Sequence, residues 1–223
     1  MPQSVMEHSF ANVPRAEIPR SSFDRTHGHK TTFDADYLIP ILVDDIVPGD
    51  TFNVNCHFFA RLATPQFPIM DNLYLETFFF FVPYRLVWDN WEKFCGAQDD
   101  PADSIDFTIP TFNNNTGVDT TNGTAGDALL DYFGIPHTTN LDTNDVSSLP
   151  FRAYNLIWNE WFRDQNLDDS VNVPTDNGPD DGGTDFQLLK RRKRHDYFTS
   201  CLPWPQKGDA VSLPLGSNAP IYT

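Results

Sequence analysis

A mainly β architecture, a β-sandwich elaborated by helical and loop insertions, is the fold class this 223-residue sequence predicts. Three observations carry that expectation. Eighteen prolines are spread between segments as punctuation, which suits a loop-rich β chain better than a helical one. One segment, "TFNVNCHFFA", alternates strictly between apolar and polar positions. Short helical patterns lie inside a chain that starts and resumes as strand, as insertions between strands do. Hydrophobic residues make up only 39%, but aromatics reach 14% with nineteen Phe, so large rings can still build a substantial core.

Residues 1–35 read as an extended arm, with Pro2, Pro14 and Pro19, several Ser and Thr, and little periodicity. The apolar run in "DADYLIPILVDDIVPGDTF" ends at Pro48-Gly49-Asp50, a turn. After it, Phe52, Val54, Cys56, Phe58 and Ala60 share one face of a strand, and Asn53, Asn55 and His57 share the other. "NLYLETFFFFVPYRL" predicts a second strand, stopped by Pro83. Its four rings, Phe78 to Phe81, are placed on both faces, as in a buried core strand.

Three helices follow. In "VWDNWEKFCG" Trp88, Trp91 and Cys95 share a face, and Gly96 stops the helix. "TAGDALLDYFG" has Thr124 and Asp127 at the spacing of a capping box and ends at Gly134. In "PFRAYNLIWNEWFRD" Phe151, Tyr154, Trp158, Trp161 and Phe162 form one apolar stripe, and Pro150 suits its first turn.

Charge is partitioned. The chain carries a formal −16, yet residues 99–185 hold seventeen acids against two bases, Arg152 and Arg163. That block reads as a solvated outer surface. By contrast, "LLKRRKRHDYFTSCLPWPQKGD" packs five of the fifteen basic side chains into consecutive positions. Lys190, Arg191, Arg192, Lys193 and Arg194, followed by His195, can neutralise nucleic-acid phosphates, with Tyr197, Phe198 and Trp204 as stacking rings. The same residues can instead pair with carboxylates of a neighbouring subunit. A nuclear-import signal is a third, weaker option. Trp158, Trp161 and Trp204 are candidates for a subunit interface or for the core.

Chemistry is hard to find. No G-x-S-x-G, H-E-x-x-H or phosphate-cradling glycine loop is present. His27-Gly28-His29 lacks the further ligands that a metal site requires, and "DNGPDDGGTD" misses calcium-loop spacing. The expectation is no catalytic residue, no metal and no cofactor. Cys56, Cys95 and Cys201 have no C-x-x-C spacing, which suits reduced thiols in a cytoplasmic product. Neither a signal peptide nor a membrane-spanning apolar run is visible, so the sequons at Asn114 and Asn122 read as polar loop.

Four stretches together resemble one family. They are "RSSFDRTHGHKTTFDADYLIPILVDDIVPGDTF", "PIMDNLYLETFFFFVPYRLVWDNWEKFCG", "LPFRAYNLIWNEWFRDQNL" and "KRRKRHDYFTSCLPWPQKGD". Their kinds and order resemble the major capsid proteins of the Microviridae, in the gokushovirus branch of small single-stranded DNA phages. The resemblance implies a viral jelly roll with long insertions, assembling in the bacterial cytoplasm with copies of itself into an icosahedral virion around circular single-stranded DNA. Other virion proteins are implied partners; a membrane is not. Family members are longer, so the sequence is expected to be an N-terminal fragment with an incomplete jelly roll over residues 36–223 and an acidic insertion region at about 99–185. Expressed alone, such a piece is expected to be poorly soluble or partly molten, because unpaired strand edges aggregate.

Two other functions compete. A carbohydrate-binding β-sandwich module would use exposed Trp and Asp/Asn loops. A glycoside hydrolase would need two acids flanking a cleft, and nothing singles out such a pair.

Overall fold

The computed structural model describes residues 19–112, 125–135, 146–181, 185–194, 196–198, 200–202, 204 and 207–209, without the side chains of 125–128. The capping-box Thr124, both sequons and His195 lie outside the described residues. The chain divides into two units, Met1–Thr31 and Thr32–Thr223. Within the first, residues 19–31 are exposed and irregular, with a local turn in which the Thr26 N–H donates to Asp24 Oδ1 at 2.9 Å.

The second unit is built from short helices and loops. In order they are a 3-10 turn (Tyr84–Leu86), α1 (Trp91–Phe94), α2 (Ala125–Tyr132), α3 (Leu149–Ile157) and a π-helical turn (Trp158–Phe162) that continues α3. The three expected helices are therefore present. Pro150 sits in the first turn of α3, and Gly96 and Gly134, both at positive φ, follow α1 and α2. None of these helices is long and apolar enough to cross a membrane.

No β-sandwich forms among the described residues. Among the described residues the only pairings are three isolated bridges, Tyr37 with Lys190, Thr111 with Ser147 and Phe112 with Asp180. The turn after Val47 forms as read: the Asp50 N–H donates to Val47 O at 3.0 Å, and Gly49 supplies the positive φ that its position demands. The segments on either side of it form no ladder. Alternation tells which side of a segment is apolar; a sheet also requires a neighbour's N–H and C=O groups in register. Among the described residues, 51–62 and 73–82 have no such neighbour, and apart from Val82 most of their apolar side chains stay largely in solvent. Phe59 is 92% exposed, and the Phe78–Phe81 rings, expected in a covered core, are all exposed, Phe81 at 73%.

The core instead gathers around α3. One cluster joins Phe112, Leu129, Leu130, Phe151, Tyr154 and Phe186. Phe151 sits at its centre, with ring centroids 4.2 Å from Phe133, 4.9 Å from Phe112 and 5.8 Å from Phe186. A second cluster packs Val87, Trp88 and Leu149 with Tyr84, Trp91 and Phe107 at its margin. The expected stripe of α3 holds at Phe151, Tyr154, Trp158 and Phe162, all buried, and fails at Trp161, which is 63% exposed. The π turn is the cause, because its wider winding changes the angular register after Ile157 and swings Trp161 off the apolar face.

Candidate functional site

Two constellations of charge organise the second unit, and both are anchored by α3. The first is a polar stripe parallel to the apolar one: Arg152, Asn155, Asn159 and Arg163, spaced by three, four and four residues. Each grips the loop that follows. Arg152 is fully buried, and its guanidinium makes a two-pronged pair with Asp180, Nε to Oδ2 at 2.6 Å and Nη2 to Oδ1 at 2.7 Å. It also donates through Nη1 to Val87 O at 3.0 Å and Asp176 O at 2.9 Å. Asn155 donates to Asn172 O and Asp185 O, and Asn159 exchanges two hydrogen bonds with the Val171 backbone. Arg163 donates to Asp168 O. The same loop reaches the first helical region, where Asn177 Oδ1 accepts from Trp88 Nε1 and Asn90 Nδ2, each at 2.9 Å.

The acidic loop "DNGPDDGGTD" is thus partly an internal counter-ion. Asp180 is buried against Arg152, which corrects the reading of this block as wholly solvated surface. A polar residue repeating at helical spacing beside an apolar stripe was the available signal for Arg152, Asn155 and Asn159.

The second constellation is the basic run. Its backbone is tied down at its start: the Leu38 N–H donates to Leu189 O at 3.0 Å, the Arg191 N–H to Asp36 O at 2.8 Å and the Arg192 N–H to Phe162 O at 3.2 Å. Trp158 is buried in the core and donates from Nε1 to Lys190 O at 2.9 Å. Tyr154 bridges the same two segments, donating to Leu38 O at 2.9 Å and accepting from Leu189 N at 3.0 Å. Burial pushes its phenol up to about 12, partly offset by the Leu189 N–H, so the proton that makes the first bond is retained.

The side chains of the run are paired within the chain. Lys190 Nζ lies 4.7 Å from the centroid of the Tyr37 ring. Arg191 and Arg194 converge on the two oxygens of one carboxylate, Glu76, and Arg191 also faces the rings of Phe78 and Phe162. Arg192 pairs with Asp168 Oδ1, and Lys193 lies 3.6 Å from Asp196. Glu76, 115 residues from Arg191, was not among the expected site residues; nothing local in sequence pairs them. Beyond the run, Tyr197, Phe198 and Trp204 are exposed. Of the three candidate tryptophans, Trp158 is core, while Trp161 and Trp204 present their rings to solvent.

Replacing Trp158 with Phe should loosen the run by removing one donor from the Lys190 carbonyl, a loss of about 1 kcal/mol. Tryptic cleavage at Lys190 is then expected about fivefold faster, since cleavage of a transiently opened segment follows the opening equilibrium. An unchanged rate would mean that the indole N–H does not hold this segment.

Residues 11–223 match the family described as Capsid protein (F protein). The chain is 54% identical to Capsid protein VP1 of Bdellovibrio phage phiMH2K over 215 residues, 96% of this chain and 39% of that protein. It is 44% identical to Capsid protein VP1 of Chlamydia phage 1 over 232 residues, covering 94% of this chain and 37% of the relative. With Capsid protein VP1 of Spiroplasma virus 4 the identity is 36% over 227 residues, 97% and 40% of the two chains. The chain spans about two-fifths of the length of these relatives. A family match over nearly the whole chain, joined to the four ordered stretches, settles its kinship: the chain belongs to the Capsid protein (F protein) family, among the capsid proteins of the Microviridae.

Proposed function

We propose that this protein is a structural subunit of a virion: a major capsid protein that assembles with copies of itself into an icosahedral shell around a circular single-stranded DNA genome, and that it carries no catalytic role. Assembly takes place in the host bacterial cytoplasm, and other virion proteins join the particle. The observation that carries this reading, beyond kinship, is the exposed apolar chain between residues 42 and 81. Val43, Val54, Phe59, Leu62, Phe67 and Tyr74 are each more than half in solvent. Monomeric proteins rarely leave so many large apolar side chains of one stretch uncovered; subunits that bury them against further protein do. A free-standing carbohydrate-binding module would have to cover those side chains itself, which counts against that alternative.

In this reading residues 1–35 are an arm for neighbouring subunits and residues 99–185 an insertion region carrying most of the acidity. Lys190, Arg191, Arg192, Lys193, Arg194 and His195 face the genome or a sibling chain, with Trp161 and Trp204 available to intersubunit contacts. The test is fractionation of a nuclease-treated lysate of virus-producing cells on a density gradient. Peptides of this chain should be the most abundant viral peptides in the particle band, alongside protected circular single-stranded DNA. Finding them only at the top of the gradient, away from particles, would overturn the proposal.

A further inference from the structure

The basic run is already occupied by anions from its own chain. Glu76 receives both Arg191 and Arg194, Asp168 receives Arg192, and Asp196 lies beside Lys193. Only Glu76 and Asp168 come from distant parts of the sequence, and both carboxylates are mostly shielded while Arg192 and Arg194 are more than half exposed. The cationic side of the Arg192 and Arg194 pairs is therefore open to an incoming ligand, while Arg191 is more shielded. Arg191 is additionally held by the faces of Phe78 and Phe162, so losing Glu76 would not release its position.

We infer that this cluster binds single-stranded DNA by anion exchange: backbone phosphates take the seats of the Glu76 and Asp168 carboxylates, and the arginines stay where they are. This rests on the DNA-facing reading of the run and adds its regulation. A sibling subunit's carboxylate would offer an arginine the same chemistry that Glu76 supplies at no cost in association, so it has little to gain by displacing it. A DNA strand differs in two ways. Its phosphates are linked, so the first exchange raises the local concentration for the next, and its binding releases condensed counter-ions. The exposed rings of Tyr197, Phe198 and Trp204, immediately after the run, give the bases a place to stack. Resident carboxylates then act as a threshold: short or weakly charged anions fail to displace them, and a long polyphosphate succeeds. Glu76 lies in segment 73–82, which stays joined to the run through Phe78 against Arg191 when the carboxylate is released.

The experiment measures binding of a fluorescent oligothymidylate by the full chain at several salt concentrations. Glu76→Gln removes the competing anion from two arginines and should tighten binding about five- to tenfold at low salt, an advantage that shrinks as salt screens the pairs. Asp168→Asn frees one arginine and should tighten it less, about two- to threefold; it carries the test alone if Glu76→Gln fails to fold. If a folded variant of either kind binds no more tightly than the parent, exchange is overturned. A control with all five basic residues replaced by Gln separates that failure from failure of the underlying reading. Binding lost in the control while the carboxylate variants stay at the parental affinity sinks only the exchange. Binding unchanged in the control, with particle formation blocked, assigns the run to a sibling chain and overturns both.

Discussion

Replacing Arg152 with methionine should release the stretch 176–180 from α3, while Asn155 and Asn159 still hold residues 171, 172 and 185, and should cost about 3–5 kcal/mol, the scale for removing one partner of a buried ion pair. The loss has two parts. Asp180 is left buried with an uncompensated charge, and the carbonyls of Val87 and Asp176 lose the donor that joins them. Because those two carbonyls lie on different segments, the effect should spread from the loop to the packing of Trp88. Hydrogen exchange of the 176–181 backbone, followed by mass spectrometry, should rise to the level of an open loop. The double replacement Arg152→Met with Asp180→Leu decides the mechanism. If the damage comes from the orphaned carboxylate, the double variant should recover much of the protection, since an apolar pair of similar volume often matches a buried ion pair. Failure of the single variant to raise exchange would show that the guanidinium is not the fastening.

Phe151→Ala should be comparably severe, about 3–5 kcal/mol, for an unrelated reason. The ring is buried and touches Phe112, Phe133 and Phe186, which come from separate stretches of chain, so no single neighbour can move in to fill the space. The expected outcome is loss of protection throughout α3 and a sharp fall in particle yield. Phe151→Leu keeps much of the volume and should retain most of both. An alanine variant that assembles normally would mean that this cluster is not what holds α3.

The two cases show what a sequence exposes and what it conceals. Phe151 was legible, because a helical apolar stripe reports burial directly, and so were the stops at Gly96 and Gly134 and the start at Pro150. Arg152 appeared only as one of two bases in an acidic window. Its role depends on Asp180, 28 residues away, and on carbonyls that carry no side-chain signal. The expected sandwich failed for a related reason: Val54 and Phe58 alternate as strand residues do, but alternation names no partner, and no ladder forms among the described residues. The basic run was plain in the sequence as charge, while its pairing with Glu76 was not, since only the folded chain brings residues 76, 191 and 194 together. Trp161 was placed on the wrong face by assuming uniform α winding through a π turn.

That turn gives the molecule an optical gauge of its own. Trp88 and Trp158 sit in a dry interior, whereas Trp161, turned outward beside Phe80, has its indole in water. Emission from the inner pair is insensitive to anything docking on the outside, but the Trp161 indole, read with Trp204 replaced by Phe because that ring is exposed too, must shift to shorter wavelength whenever its face is covered. Shell growth at this face would therefore be visible as a change of colour in ultraviolet fluorescence, with no label attached.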